Sequence, residues 1–297
     1  MFVLDEMAHE YEKKHDDVIR MTLGKSELPP SAPVVEAMLA PAADYRTASL
    51  VFPAGLPQLR DRLALEYQQR YGVHLPSNRF VISTGTSTTF RNLHQLLVTE
   101  GDEVLVPLPC YPLYVFTARL VGARVRHYRV DPHSLEVDLA SLEAAMTPRT
   151  RVVIVNSPGN PFGNVVDRRR FLEIDAIVAG RATLVSDEIY VNCLFDDEPY
   201  SAAELMGNSF SKGHRMYARR VGYAIVGEEP VEPMSVIQHH KALTTDPVPQ
   251  FGAIAALDSR RTSPNWWTVT GHGGTTRSRP SGTCRTSGSY PPAAAST

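Results

Sequence analysis
An α/β fold, a mainly parallel sheet with helices on both faces, is what this sequence predicts, and three observations lead there. Between residues 79 and 186, short apolar runs alternate with helix-length amphipathic segments, the order that builds parallel strands joined by crossovers. At 297 residues and 43% hydrophobic, the chain can bury a large core. Finally, several apolar runs end in polar turns rich in Gly, Asn, Pro or Asp, and sheets of this kind bind ligands at the carboxyl ends of their strands.

Taken in order, residues 5–20 read as a polar helical lead-in, and Met21-Thr22-Leu23-Gly24 and Pro29-Pro30 precede a short helix from Ala32 to Leu39. Ala54 to Arg60 opens a helix with Leu59, Leu63 and Tyr67 at helical spacing. Arg79 to Ser83 is a strand that enters Thr84-Gly85-Thr86-Ser87-Thr88, and Phe90 to Leu97 is a helix. A glycine turn before a helix leaves free N–H groups at the positive end of the helix dipole, which suits a phosphate, so Thr86 and Ser87 are candidate ligands. An N-cap alone is the competing explanation. Asp102 to Val106, Arg124 to Val130, Arg151 to Val155 and Ala182 to Val185 are further extended runs, Ser141 to Ala145 is helical, and so is Gln250 to Leu257.

Composition narrows the function classes. The formal net charge is -2 with no long single-sign run, which argues against nucleic-acid or anionic-membrane partners. No apolar segment has the length of a membrane span, so a cytoplasmic location is the expectation. The 3 cysteines, Cys110, Cys193 and Cys284, have no metal-ligand spacing and read as ordinary thiols.

The most informative stretch is Asn208-Ser209-Phe210-Ser211-Lys212, continued by Arg220-Val221-Gly222. A lysine amine can hold an aldehyde cofactor as a Schiff base, and Ser209, Ser211 and Arg220 could hold that cofactor's phosphate. A solvated basic turn is the bland alternative, because His214, Arg215 and Arg219 crowd the same segment. Asn156-Ser157-Pro158-Gly159-Asn160-Pro161-Phe162-Gly163 resembles the NPxNPTG loop of the class I/II, fold type I aminotransferases that use pyridoxal 5'-phosphate, with Ser157 and Phe162 as variants. Ser186-Asp187-Glu188-Ile189-Tyr190 resembles that family's D-E-x-Y segment, and the lysine stretch resembles its S-x-S-K…R-x-G box.

The resemblance, running from about Gly24 to about Leu257, implies the large domain of a type I pyridoxal-phosphate transferase and a role for each matched residue. Lys212 carries the cofactor and moves the substrate's α-proton; Asp187 pairs with the ring nitrogen; Asn160 and Tyr190 hydrogen-bond the ring's phenolic oxygen. Tyr111, in Pro109-Cys110-Tyr111-Pro112, stacks on the ring; Thr86, Ser87, Ser209, Ser211 and Arg220 hold the phosphate; Gly24 lies on the substrate side. Glu188 is expected to be structural. The partners implied are an amino acid, a 2-oxo acid and a second copy of the chain. Carbon–sulfur lyases, decarboxylases and amino-acid cyclases would keep the same cofactor residues, and a non-catalytic cofactor-binding remnant is the alternative from another class.

The chain also departs from the family. Leu50 stands where relatives have a tyrosine that reaches the neighbouring subunit's phosphate. Only Ser201 to Gly207 precedes Asn208, so the strand leading into the lysine is expected to be missing or much shortened. From Ser259 to Thr297 there is no Asp, Glu, Lys, Leu or Ile, a composition that predicts disorder and offers no arginine in a family context for the substrate carboxylate. The expected division is therefore an N-terminal arm over 1–45, a cofactor-binding large domain over 46–257 and an aberrant tail over 258–297, with a truncated or scrambled C-terminal small domain and impaired turnover.

Overall fold
The computed structural model describes residues 2–15, 17–18, 24, 28–194, 200–202 and 206–262. Met1–Ser259 form one compact unit and Arg260–Thr297 a second. The elements are α1 (Phe2–Glu12), α2 (Ala32–Ala43), α3 (Pro57–Tyr71), β1 (Phe80–Ser83), α4 (Thr86–Leu97), β2 (Glu103–Leu108), α5 (Pro112–Leu120) and β3 (Arg124–Arg129). They continue as α6 (Leu139–Ala145), β4 (Thr150–Asn156), α7 (Arg168–Val178), β5 (Thr183–Asp187), β6 (Met206–Ser209), β7 (Gly222–Ile225), α8 (Val231–Ala242) and α9 (Pro247–Thr262).

Among the described residues the strands form one sheet in the order β1-β7-β6-β5-β4-β2-β3. Strands β6, β5, β4, β2 and β3 run parallel, and β7 is antiparallel to both its neighbours. Strands β1, β2, β4 and β7 are buried and largely apolar on both sides because both sides are covered. Phe80, Ile82, Tyr223 and Ile225 face α2, α3 and α9, whereas Val81 and Ala224, one residue out of step, face α4, α5 and α8. Val152 and Ile154 of β4 join that second layer, while Val153 and Val155 pack toward α6 and α7. The period-2 alternation thus decides which helix meets which residue.

Three expectations are corrected. The strand before the lysine is present as β6, paired with β5 at two positions and with β7 at four. It escaped the sequence reading because Met206-Gly207-Asn208-Ser209 lacks both β-branched residues and an apolar alternation. Its pairing includes Asn208 and Ser209 themselves. The lead-in helix ends at Glu12, and α9 runs five residues past Leu257, to Thr262. The expectation of disorder for the tail falls, from residue 263 on, outside the described residues.

Glu188, directly after β5, anchors the chain that returns to β6. Its buried carboxylate accepts from Ser201 Oγ at 2.7 Å, Ala202 N–H at 2.7 Å and Ser186 Oγ at 3.2 Å. Burial nevertheless pushes its carboxyl up to about 7 from an ordinary 4.5, those three donors opposing and Asp187 adding to the rise. A raised folded-state value means that ionisation costs stability: nothing below the unfolded value, a growing amount as pH rises, and the whole of it above about 7. Glu188→Gln is therefore expected to gain stability relative to the parent between pH 5 and pH 8, measured by urea unfolding. Glu188→Ala, which strands the donors, should lose about 1–3 kcal/mol. An identical Glu188→Gln difference at both pH values would contradict the assignment.

Candidate active site
The candidate residues gather at the carboxyl ends of β1, β4, β5 and β6. At the first, Gly85 (φ 86°) is the residue before α4, and a Cβ there would lie 2.4 Å from Arg220 Nη2. Only a glycine lets the guanidinium rest on the backbone at this point. Arg220 itself is left-handed (φ 53°) and donates from Nη1 to the carbonyl of Tyr217 at 2.8 Å. Beside it, the Thr86 hydroxyl is buried with no hydrogen-bond partner, and Ser87 is exposed on the same turn. A forked cation, an unused hydroxyl and a helix N-terminus together make an anion cradle.

The second pole is Asp187, fully buried at the end of β5. Tyr114 Oη donates to its Oδ2 at 2.6 Å and Ile189 N–H to its Oδ1 at 3.1 Å. Burial pushes the carboxyl up to about 6, with these two donors holding it from going higher. From β4, Asn156 Nδ2 donates to the Asp187 carbonyl at 3.1 Å, while its Oδ1 accepts from Asn160 N–H at 2.7 Å. One side chain therefore registers the asparagine loop against the acid. The Asn160 side chain in turn hydrogen-bonds the Tyr190 phenol, which burial first and Asp187 second raise to about 12. Tyr111 is the residue before α5, its ring edge-on to Tyr114 at 6.1 Å.

Lys212 is the third part of the site, beside Arg220. Its Nζ donates to the carbonyl of Gly24 and stands over two rings, Tyr190 at 5.6 Å and Tyr217 at 5.1 Å. Burial lowers its pKa, and the neighbouring Arg220 lowers it further against an opposing contribution from the Cys193 thiol. Ser209 ends β6, and its hydroxyl accepts from Ser211 N–H at 3.2 Å. Every residue singled out in the sequence thus falls in this one region. Tyr114, Asn156 and Tyr217 belong to it too and were not singled out for it; Tyr114 could have been, being one α-turn beyond Tyr111 in the same loop-helix segment.

Comparison with known proteins gives this arrangement a family. Residues 16–268 match the family described as aminotransferase class I and II. The chain belongs to that family. It is 31% identical over 266 residues to an aspartate aminotransferase of Thermotoga maritima, covering 86% of this chain and 70% of that one. An aspartate/prephenate aminotransferase of Thermus thermophilus is 29% identical, with 86% and 68% covered. The structure of a Thermus thermophilus aspartate aminotransferase with maleate superposes with a TM-score of 0.83 at 27% identity, covering 89% of this chain and 71% of that chain. Class I and II aminotransferases use pyridoxal 5'-phosphate, and this chain is a pyridoxal-phosphate-dependent enzyme of that kind.

The residues present fit that cofactor on three independent grounds. At the first residue of α4, next to the glycine on which Arg220 rests, the buried Thr86 hydroxyl has no partner among the described residues, as a phosphate requires. The buried carboxyl of Asp187 has donors but no cation, as a ring-nitrogen partner requires. Beside Arg220 and the Tyr190 ring is a half-buried lysine whose ammonium is disfavoured, as imine chemistry requires.

Proposed function
We propose that the enzyme moves an amino group between an amino acid and a 2-oxo acid, with Lys212 as cofactor attachment point, through a Schiff base, and as the proton carrier. The half-buried, destabilised ammonium of Lys212, set against the Gly24 carbonyl and the Tyr190 and Tyr217 rings beside Arg220, is the observation that carries this reading. When bound, the cofactor supplies an electron sink that acidifies the substrate's α C–H bond.

The chain's own residues divide the remaining tasks. Asp187, ionised and held by Tyr114 and the Ile189 N–H, keeps the ring nitrogen protonated. Asn160 and Tyr190, already hydrogen-bonded to each other, offer donors to the ring's phenolic oxygen. Thr86, Ser87, Ser209, Ser211 and Arg220 form the phosphate cradle, and Tyr111 supplies a ring face. Gly24, whose carbonyl receives the Lys212 amine, places the substrate-side segment against that lysine. As a neutral amine, Lys212 takes the proton from the substrate's Cα and returns it, a step for which a lowered pKa suits it.

Homodimerisation is supported by α1, where Val3, Leu4, Met7 and Tyr11 are each more than half exposed. The Cys110 thiol, outside any disulfide, suits a cytoplasmic setting; among the described residues no helix is long and apolar enough to cross a membrane.

Borohydride reduction of the cofactor-loaded enzyme, followed by peptide mapping, is expected to place the label on Lys212, and Lys212→Ala should lower 2-oxo acid formation over an amino-acid panel by about a hundredfold or more. A label on Lys241 or Lys25 would sink the assignment. Sedimentation of the same material should show a dimer, and a monomer with full cofactor occupancy would count against a shared site.

A further inference from the structure
We propose that Tyr217 is a positioning residue for Lys212, its ring face fixing where the lysine amine rests between Gly24 and the Arg220 guanidinium. The inference rests on the reading of Lys212 as the attachment point and adds a residue to which no role has been assigned. Tyr217 opens the short turn Tyr217–Arg219 that carries the chain from Lys212 to Arg220. Both cations stand over its ring, Lys212 Nζ at 5.1 Å and Arg220 Cζ at 5.9 Å from the centroid. Two positive groups this close to one another repel, and the electron-rich face of a shared ring offsets part of that repulsion.

The backbone of the same residue fixes the second cation, since Arg220 Nη1–H donates to the Tyr217 carbonyl at 2.8 Å. Ring and carbonyl therefore hold Lys212 and Arg220 in one register. Packing does not account for the side chain: Tyr217 is 37% exposed and belongs to none of the three apolar clusters. Nor does it face away from the site, for its phenol is, after burial, the strongest influence raising the pKa of Tyr111. The other groups around the amine are the Gly24 carbonyl, the Tyr190 ring, Arg220 and the Cys193 thiol. None of these contacts is made through the Tyr217 side chain.

The test uses the full chain stripped of cofactor, so that its failure is separable from failure of the attachment assignment, which borohydride mapping decides. Lys212 is methylated with formaldehyde and cyanoborohydride at fixed pH, and its rate is read by peptide mapping against exposed Lys13. Tyr217→Phe keeps the ring and should methylate Lys212 at the parent rate. Tyr217→Leu removes the face that stabilises the ammonium and should raise the rate about two- to fivefold. Binding of inorganic phosphate should stay within about twofold in both variants, because the carbonyl that holds Arg220 remains. A parent-like rate in Tyr217→Leu, or equal rates in the two variants, would overturn the proposal. So would a loss of phosphate binding in Tyr217→Leu, which would make the ring a support for Arg220 instead.

Discussion
A carboxyl group sealed inside protein has to be neutral, paired with a cation or compensated by donors, and Asp187 is compensated only in part. Tyr114 and the Ile189 N–H bond its two oxygens, yet burial still lifts it to about 6. Much of the surrounding structure can be understood as the frame that keeps this acid in place. It ends β5, with β4 on one side and β6 on the other, and β4 sends Asn156 to its carbonyl. Helix α5 sends Tyr114 to its carboxylate. A cationic ring nitrogen at this position would complete a set of contacts that the chain leaves one charge short.

The opposite end of the site follows from a steric condition. Gly222 pairs with Ser83 across β1 and β7, and a Cβ on it would come within 2.6 Å of the Gly85 backbone. With glycine at both places the two strands close tightly. Arg220 can then lie across the turn that starts α4, next to the unpartnered Thr86 hydroxyl. A cation-seeking acid and an anion-seeking cradle in one site match the polarity of a phosphorylated pyridine, and Lys212 stands beside Arg220 and over the Tyr190 ring. Antiparallel β7 matters here because it starts at the end of the sheet where β6 stops, so Lys212 and Arg220 both lie in the connection between the two strands.

How much of this was legible depended on whether the signal was local. Lys212 with Arg220, Asn160 and Asp187 with Tyr190 each lie within short runs that resemble family motifs in the family's order, so the resemblance could pick them out before any contact was known. The strands up to β5 were similarly legible as extended runs along the chain, Val152 to Val155 being a compact apolar stretch, although their order in the sheet was not. Strand β6 was not, because Gly207, Asn208 and Ser209 carry no strand propensity and pair only when β5 and β7 flank them. Glu188 and Tyr217 were invisible in their roles for a different reason: each acts through a contact that exists only after folding. Glu188 illustrates the point, for the sequence placed it as a structural residue but gave no hint that its partners would be Ser201 and Ala202.

The central claim, that the site is organised around a buried acid awaiting a cation, is tested most directly by titrating Asp187 with and without pyridoxal 5'-phosphate. Carboxylate infrared spectra of the stripped and loaded chain, each differenced against Asp187→Asn to separate the acid from neighbouring Glu188, give the two midpoints. In the stripped chain the midpoint should lie near 6, above the ordinary 3.8. Loading should move it down, since a neighbouring cation favours the ionised form. A midpoint near the ordinary value without cofactor, or one that loading leaves unmoved, would contradict the account.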